Sequence, residues 1–336
     1  MLAAETSAEM VEIGALWREA MLAGDFEAAW RQTDRIELPR RLAERSGSFI
    51  GQPHQLLWNG DSFTNRRVLV RCEHGLGDTI MFARYFPLLR TQARRVIVKA
   101  QPMLLPLLQG MEGVDLLLNA WTTDSEPPHD VAIECMELAY AFRSKPETLP
   151  STVPYLLANR LRGAASFYWS NECKYHAGLV WAASDWDTTR SLAIDDLAPL
   201  AKTGGVVFHS LQQGDRANEI ASAPIRIEPL SEKTRDIAGA AAAILALDLV
   251  ITVDTMIAHL AGALGRPVWL LLQKEADWRW IRDCERSPWY PTMRIFRQPK
   301  AGDWDSVIAS VAVALSREWQ DRPARQSQSG QYSNRD

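Results

Sequence analysis

The feature that most constrains the fold is an alternation, from Arg67 onward, of short apolar runs with stretches of helical periodicity. Short runs rich in valine, isoleucine and leucine are typical of strands buried on both faces. Strands separated by helical patterns form parallel sheets with crossover helices. In the first series the predicted strands are 67–72, 95–99, 114–118 and 130–134, and the predicted helices are 78–91 and 102–109.

A second series of the same kind follows residues 143–175, a stretch with several prolines where we place a domain boundary. Its predicted strands are 177–182, 206–210, 225–228, 248–253 and 267–272, and its predicted helices are 194–202, 235–246, 255–264 and 304–319. Two such series predict two Rossmann-like α/β domains. Ligands of open parallel sheets bind at the carboxyl ends of the strands, so the loops after the strands are the candidate sites.

The region before the first strand reads as two helices joined at Gly24, and Asp25 can cap the second helix. The phrase GDFEAAW in this pair looks like the remnant of a tetratricopeptide repeat. One pair is too short to form a solenoid, so we expect it to pack elsewhere or to contact a partner protein. The predicted division is a helical segment 1–48, a first Rossmann-like domain 49–165, a second 166–320 and a disordered tail 321–336.

Charge and cysteine usage narrow the function classes. A net charge of −4 argues against a general nucleic-acid-binding protein, although a local cluster of donors could still bind a small anion. The four cysteines form no C-x-x-C pair, which predicts reduced thiols and no metal site. The longest strongly apolar stretch, 237–247, is too short to span a bilayer, and the N-terminus lacks the pattern of a secretory signal. We therefore expect a cytoplasmic protein without an integral membrane segment.

The first candidate motif is EHGLGDT over residues 73–79, which follows a predicted strand and opens a helix. Gly75 and Gly77 permit a tight turn and a close approach of the backbone to a ligand. The third glycine of a dinucleotide-binding fingerprint is absent, so a nicotinamide or flavin cofactor is not expected. Asp78 lies at the helix start, where it is either a helix cap or a carboxylate that acts as a general base.

The second candidate motif, VDTMIAHLAGALGRP over residues 253–267, joins a buried strand to a helix. The free amides and positive dipole end at Thr255 and Met256 suit a phosphate group. Asp254 would repel a phosphate, so we expect it to accept from a sugar hydroxyl or to cap the helix. His259 lies on the same helix face as Thr255, and it is either a packed helix histidine or a binding residue.

Two more loops follow predicted strands of the second series. Arg190, next to Ser191 in the loop 183–191, could clamp a diphosphate, or it could be a solvated arginine beside two aspartates. Gln212, in the sequence SLQQG over 210–214, could contact a base or a sugar.

The chain has a surplus of tryptophan, with 13 in 336 residues. Three of them lie in an aromatic segment that contains DWRW at 277–280 and SPWYP at 287–291. We assign this segment to the second domain. Its rings could stack on a ligand, or they could form an aromatic plug between the two domains.

Taken in order, these motifs resemble the family 9 glycosyltransferases, the relatives of ADP-heptose:lipopolysaccharide heptosyltransferases, and more closely the branch attached to tetratricopeptide repeats. The resemblance rests on the runs VRCEHGLGDTIMFARYFPLL, VDTMIAHLAGALGRPVWLLL, DWRW, SPWYP, RIFRQ and GDWDSVIASVAVAL. It implies an α/β, GT-B fold: two Rossmann-like domains facing a central cleft, here with a short N-terminal helical pair. It also implies inverting, metal-independent transfer of a sugar from a nucleotide-activated donor.

The resemblance also implies roles for single residues. Asp78 matches the base of the glycine-rich loop, Asp254 and Thr255 match the donor-binding pair, and Arg190 lies in the loop that holds the donor phosphates. The predicted substrate-binding residues are Gly75, Gly77, Thr79, Arg190, Ser191, Gln212, Asp254, Thr255, Met256 and His259. Two departures stand out: Ala183 replaces the usual glycine, and Gln213 stands where a lysine often follows Ser-Leu-Gln.

Three functions therefore stay open. The first is a glycosyltransferase with an ADP- or UDP-linked donor and a glycan, lipid-linked or protein acceptor, needing no cofactor beyond the nucleotide sugar. The second is a non-catalytic relative that binds a protein partner through its N-terminal helices and aromatic surfaces. The third is a sugar-nucleotide epimerase or hydrolase on the same fold.

Overall fold

The computed structural model describes residues 2–46, 57–122, 125–156, 167, 169, 174–185 and 187–329, with side chains described from 8 to 320. The chain forms two compact units. The first comprises Met1–Leu161 and Asp277–Pro291, and the second comprises Arg162–Ala276 and Thr292–Asp336. The boundary predicted at 165–166 and the last seven residues of the predicted tail, 330–336, lie outside the described residues.

The first unit is built on a parallel sheet of four strands in the order β3-β2-β1-β4. Leu69 at the centre of the sheet lies opposite Ile97 on one side and Ala132 on the other. Val68, Leu69 and Val70 are fully buried, which explains why this strand reads as a continuous apolar run. The strands are β1 (Arg67–Arg71), β2 (Arg95–Ala100), β3 (Leu116–Asn119) and β4 (Val131–Glu134).

Helices surround this sheet and precede it. The α-helices of the first unit are α1 (Leu2–Leu22), α2 (Phe26–Arg45), α3 (Leu76–Phe82), α4 (Phe86–Gln92), α5 (Leu105–Leu108) and α6 (Leu138–Ala141). Short 3-10 helices cover Ala83–Tyr85, Pro102–Leu104, Cys135–Glu137 and Pro146–Thr148. The predicted helix 78–91 is therefore α3, a 3-10 turn and α4 in succession.

The second unit contains a parallel sheet of six strands in the order β10-β9-β8-β5-β6-β7. The strands are β5 (Tyr175–Val180), β6 (Val206–Ser210), β7 (Ile227–Pro229), β8 (Leu249–Val253), β9 (Val268–Leu272) and β10 (Met293–Arg297). The α-helices are α7 (Ile237–Ala246), α8 (Met256–Ala263) and α9 (Trp304–Ser329), and 3-10 helices cover Thr188–Arg190, Ile194–Lys202 and Asp215–Ser222.

The predicted fold class is confirmed: two parallel α/β sheets follow an N-terminal pair of helices. Strand β10 was missing from the sequence-based prediction, because two of the five residues of its run MRIFR, Arg294 and Arg297, are charged and the run reads as partly exposed. It lies at the edge of the sheet, where one side of a strand needs no partner. The predicted central cleft stays a prediction.

The prediction for the C-terminal tail needs a correction. We predicted disorder from residue 321, but helix α9 continues to Ser329. The tail has no apolar pattern, yet its alanine, arginine and glutamine residues favour a helix that has already begun.

The aromatic segment is the main correction to the predicted domains. We assigned residues 277–291 to the second domain, but they belong to the first unit, between β9 and β10 of the second. Trp280, Trp289 and Tyr290 are fully buried there. Trp289 stacks on Phe26 of α2, with ring centroids 5.9 Å apart. Aromatic side chains bury the largest apolar areas, so this packing holds the segment in the first unit.

The N-terminal helices are an integral part of the same core. Trp17 of α1 packs edge-on against Trp278 at a centroid distance of 5.3 Å. The turn between the helices has Gly24 at φ +78°, a backbone conformation that residues other than glycine rarely adopt. The backbone amide of Arg282 donates to the Leu22 carbonyl at 2.7 Å. The predicted helix pair and its Asp25 cap, which accepts from the Ala28 amide, are confirmed.

Across the described residues, no helix is both long enough and apolar enough to cross a membrane.

Candidate catalytic and donor-binding sites

The glycine-rich loop of the first unit lies at a topological switch point. Strand β1 has β2 on one side and β4 on the other, so the chain leaves β1 where the strand order reverses. Crevices that bind ligands open at such points, outside the carboxyl ends of the strands. The loop after Arg71 leads directly into α3, which begins at Leu76 with Gly75 as its N-cap. The sequence-based placement of this motif is therefore what the structure shows.

Asp78 has the capping role that the sequence left open, and its role as a general base stays a prediction. It is the third residue of α3, and its Oδ2 accepts the Gly75 amide at 3.0 Å, which closes a capping interaction. Its Oδ1 accepts from Arg279 Nη2 at 2.5 Å. The Asp78 side chain is 24% exposed, so solvent or a substrate can still reach the carboxylate. Asp78 therefore caps its helix with a carboxylate that stays partly accessible.

Three other residues predicted for this loop lie around Asp78. A Cβ built on Gly75 would lie 3.0 Å from Asp78 Oδ2, so a side chain there would press on the carboxylate. Gly77 is the second residue of α3. Thr79 is fully buried, and its hydroxyl donates to Gln101 Oε1 at 3.0 Å. Gln101 in turn donates to the His74 carbonyl at 2.6 Å, so Thr79 supports the loop from below.

A buried carboxyl group from the neighbouring strand also supports this loop. Glu134 ends β4, is 2% exposed and accepts the Met136 amide at 2.6 Å. Burial raises the pKa of Glu134, while hydrogen bonds from the backbone of Met136 and Glu73 favour its charged form. Sequence reasoning missed Glu134 because a single acid after a short strand has no distinctive pattern.

Arg279, which donates to Asp78, was missing from the sequence-based prediction of site residues. It comes from the aromatic segment, 201 positions from Asp78. Its Nη1 donates to Asp277 Oδ1 at 2.7 Å, and its guanidinium lies 4.6 Å above the Trp278 ring. The Asp-x-Arg spacing within DWRW was visible in the sequence, but nothing local linked it to the glycine-rich loop.

The contacts of the aromatic segment bear on whether its tryptophan rings bind a ligand or pack against other protein groups. Within the described residues, the rings of Trp278 and Trp289 contact aromatic side chains of α1, α2 and α3. Trp289 also donates its Nε1 proton to the Arg279 carbonyl at 2.9 Å. The aromatic cluster thus packs within the core of the first unit, and a plug between the domains stays a prediction.

The donor-binding candidates of the second unit also lie at a switch point, where β5 pairs with both β8 and β6. Arg190 from the loop after β5 donates to the Asp254 carbonyl after β8 at 3.1 Å. Asp187 Oδ2 lies 3.7 Å from Arg190 Nε and forms an ion pair with the guanidinium. The structure therefore brings together Arg190 and the Asp254-Thr255 pair, as the sequence predicted.

Helix α8 presents its N-terminus at this place. Thr255 is the N-cap, and its side chain makes no capping hydrogen bond to the first turn. The Thr255 hydroxyl lies 3.2 Å from the Thr252 hydroxyl instead. Thr255 and Met256 are half-exposed, so the first amides of the helix can reach a ligand, whereas His259 is 5% exposed within the helix packing. An uncapped helix start with an adjacent guanidinium suits an anion.

Two other predicted binding residues hold the backbone. Gln212 is buried; its Oε1 accepts the amides of Trp181 and Ala182 at 3.2 and 3.0 Å, and its Nε2 donates to the Ala182 carbonyl at 3.1 Å. The Ser191 hydroxyl accepts the Ala183 amide at 3.0 Å. These contacts fix the ends of β5 and β6, and direct substrate contact by either side chain stays a prediction.

No group of three or more histidine, cysteine, aspartate or glutamate side chains is arranged to hold a metal ion in the part of the chain that the structure describes.

The fold is that of bacterial heptosyltransferases. The chain matches E. coli heptosyltransferase WaaC with ADP at a TM-score of 0.53 and 13% identity, over 75% of this chain and 99% of that chain. It matches E. coli ADP-heptose lipopolysaccharide heptosyltransferase II at 0.51 and 16% identity, with the same coverage. The predicted likeness to this family is confirmed in the fold, and the tetratricopeptide-associated branch stays a prediction.

A curated relative carries a closer sequence match. The chain is 26% identical to the protein FlbA of Caulobacter vibrioides over 290 residues, which are 77% of this chain. The match covers 48% of FlbA, so the chain spans about half the length of this relative. No family model matches the chain.

Proposed function

We propose that this chain is a glycosyltransferase that moves a sugar from a nucleotide-activated donor to an acceptor hydroxyl, with inversion and without a metal ion. The observation that carries the proposal is Asp78. This carboxylate is accessible, is fixed at both oxygens and lies at the carboxyl edge of a sheet whose fold is shared with heptosyltransferases.

The proposed reaction is a single displacement at the anomeric carbon. Asp78 takes the proton of the acceptor hydroxyl while the acceptor oxygen forms the new glycosidic bond. The bond to the donor phosphate breaks, and its electron pair leaves with the nucleoside diphosphate. Attack on the face opposite the leaving group inverts the anomeric configuration.

The second unit supplies the groups that would stabilise the leaving diphosphate. The amides at the start of α8 and the Arg190 guanidinium are preorganised donors, and such donors stabilise the charge that develops in a transition state. Asp254 and Thr255 would contact the donor, with Thr255 offering a hydroxyl. A helix terminus and an arginine can together take the role that a divalent cation has in other transferases.

The fold relatives suggest which donor to test first. One E. coli structure contains ADP, and another contains ADP-2-deoxy-2-fluoro heptose. We therefore infer an ADP-linked sugar as the first candidate donor and a UDP-linked sugar as the second. The acceptor would be a glycan, a lipid-linked glycan or a protein, in the cytoplasm.

A non-catalytic binding protein is the second candidate, favoured by the small number of cations at the donor site. Gln213 replaces a lysine expected from the family resemblance, and its side chain donates to the Thr234 hydroxyl at 2.8 Å. Arg190 is shared between the Asp254 carbonyl and Asp187. Weak diphosphate binding would follow from this arrangement.

Calorimetry with ADP, UDP and GDP, followed by incubation with the matching nucleotide sugars, separates these functions. We expect one diphosphate to bind, and 100 times its Kd to stabilise the chain by about 2.7 kcal/mol. Sugar transfer to an added acceptor would support the transferase, whereas turnover without acceptor would indicate a hydrolase or epimerase. No binding at millimolar concentration would contradict the transferase and favour the non-catalytic function.

A further inference from the structure

Asp78 and Arg279 form an ion pair that no feature of the glycine-rich loop itself requires. The pair joins α3 to the aromatic segment, with a distance of 2.5 Å between Oδ1 and Nη2. The Arg279 side chain is only 11% exposed, so solvent screens the pair less than it screens a surface ion pair.

Arg279 is itself held on several sides. Asp277 Oδ1 accepts both its Nη1 proton at 2.7 Å and its backbone amide proton at 3.0 Å. The Trp278 ring lies under its guanidinium, and its carbonyl accepts from Trp289. A planar guanidinium fixed in this way presents its remaining N–H groups in fixed directions. Arg279 therefore offers Asp78 a preorganised donor.

The two oxygens of Asp78 then have different partners. Gly75 holds Oδ2 through its backbone amide, and Arg279 holds Oδ1. Each carboxylate oxygen can accept more than one hydrogen bond, so a substrate hydroxyl can still approach a carboxylate whose plane is fixed. A fixed base is a faster base, because small displacements of reacting groups reduce rates by large factors.

We infer that Arg279 is a positioning residue for Asp78, an inference that rests on the proposed function. It acts through Asp78: it holds the carboxylate in one orientation, and it transfers no proton itself.

Arg282 provides a matched control. It belongs to the same segment and forms an ion pair with Glu19 of α1 at 3.1 Å. Both partners are exposed, with 47% and 60% of their side chains accessible, and neither contacts Asp78. R282Q therefore removes an ion pair of the segment while leaving the base untouched.

The test compares R279Q, R279K and R282Q with the wild-type protein. For R279Q we expect kcat to fall roughly 10- to 100-fold with little change in the KM for the donor. R279K should recover part of the loss, since it keeps the charge but cannot bridge Asp277 and Asp78 together. R282Q should stay within about two-fold of the wild-type kcat, because an exposed ion pair contributes little.

A second readout is independent of activity. Hydrogen exchange of the Gly75 amide reports its bond to Asp78 Oδ2, and we expect faster exchange in R279Q than in R282Q at equal global stability. Unchanged Gly75 exchange in a folded R279Q, or an equal loss of kcat in R282Q, would overturn the inference. A wild-type protein that transfers no sugar would overturn the proposed function instead, while the exchange measurement would still decide whether Arg279 orients Asp78.

Discussion

The carboxyl edges of the two sheets use their polar side chains in different ways. In the first unit, Asp78 stays accessible, and the loop that carries it is supported by buried groups such as Gln101. In the second unit, the side chains of Gln212 and Ser191 accept hydrogen bonds from backbone amides. The Arg190 side chain donates to the Asp254 carbonyl. The first edge thus leaves a carboxylate accessible, whereas side chains of the second edge bind the backbone and fix the shape of its loops.

Because of this difference, we expect replacements at similar positions of the two sheet edges to have different consequences. At the first edge we expect substitutions to change the rate of reaction. At the second edge we expect them to change stability, with donor binding affected through the shape of the loops.

The largest stability effect is expected at Gln212. Replacement by leucine leaves the buried amides of Trp181 and Ala182 without their acceptor, which should lower the free energy of unfolding by about 2–4 kcal/mol. The neighbouring side chain of Gln213 is exposed, so Q213L should cost less than about 1 kcal/mol. Urea denaturation of both variants measures the contrast, and equal losses would mean that Gln212 does not fix the loop.

The positions of the candidate loops at the two sheet edges could be predicted from the sequence, because they follow from the order of strands and helices along the chain. Parallel strands separated by helices place the loops 73–79, 183–191 and 254–256 at the carboxyl ends of their sheets, and periodicity alone reveals those strands. The roles of Gln212 and Ser191 could not be predicted, because their hydrogen bonds depend on the final positions of backbone amides.

The contact of Arg279 with Asp78 could not be predicted from the sequence for a different reason. The segment 277–291 is framed by strands of the second unit, so chain order assigned it to the second domain. Its membership in the first unit depends on the burial of Trp280 and on the stacking of Trp289 on Phe26 of α2, a contact across more than 200 residues. Composition showed the aromatic surplus but not its partner.

The two units should also respond to pH in opposite directions. Burial raises the pKa of Glu137 in the first unit to about 7, from 4.5. Burial, together with His176, lowers the pKa of His209 in the second unit to about 4, from 6.5. The stabilising contribution of Glu137 is complete below about pH 4.5 and is lost toward pH 7. That of His209 is complete above about pH 6.5 and is lost toward pH 4.

Each contribution should be on the order of 2 kcal/mol. The measurement is the free energy of unfolding between pH 4 and 8 for the wild-type protein, E137Q and H209Q. Relative to the wild type, E137Q should lose the decrease toward pH 7, and H209Q should lose the decrease toward pH 4. Parallel curves for all three proteins would refute both assignments.

The smallest expected effect on kcat is that of an alanine substitution at Gly75, which we compare with the same substitution at Gly14. A methyl group on Gly75 would press on Asp78 Oδ2 at 3.0 Å, so G75A should lower kcat by about three- to ten-fold through displacement of the base. Gly14 in α1 has no atom within 4 Å of its built Cβ. G14A should therefore leave kcat unchanged and stabilise the helix by up to about 1 kcal/mol. Steady-state kinetics and thermal unfolding of the pair decide whether the crowding at Gly75 matters.

The most direct test of the central claim is the transfer rate of Asp78→Asn in a single turnover, with donor affinity measured on the same protein. Asparagine can still accept the Gly75 amide but cannot take a proton from a hydroxyl. We predict a loss of about 10²- to 10⁴-fold in the transfer step with the donor Kd within about two-fold of the wild-type value. A D78N protein that transfers sugar at the wild-type rate would contradict the assignment of Asp78 as the base.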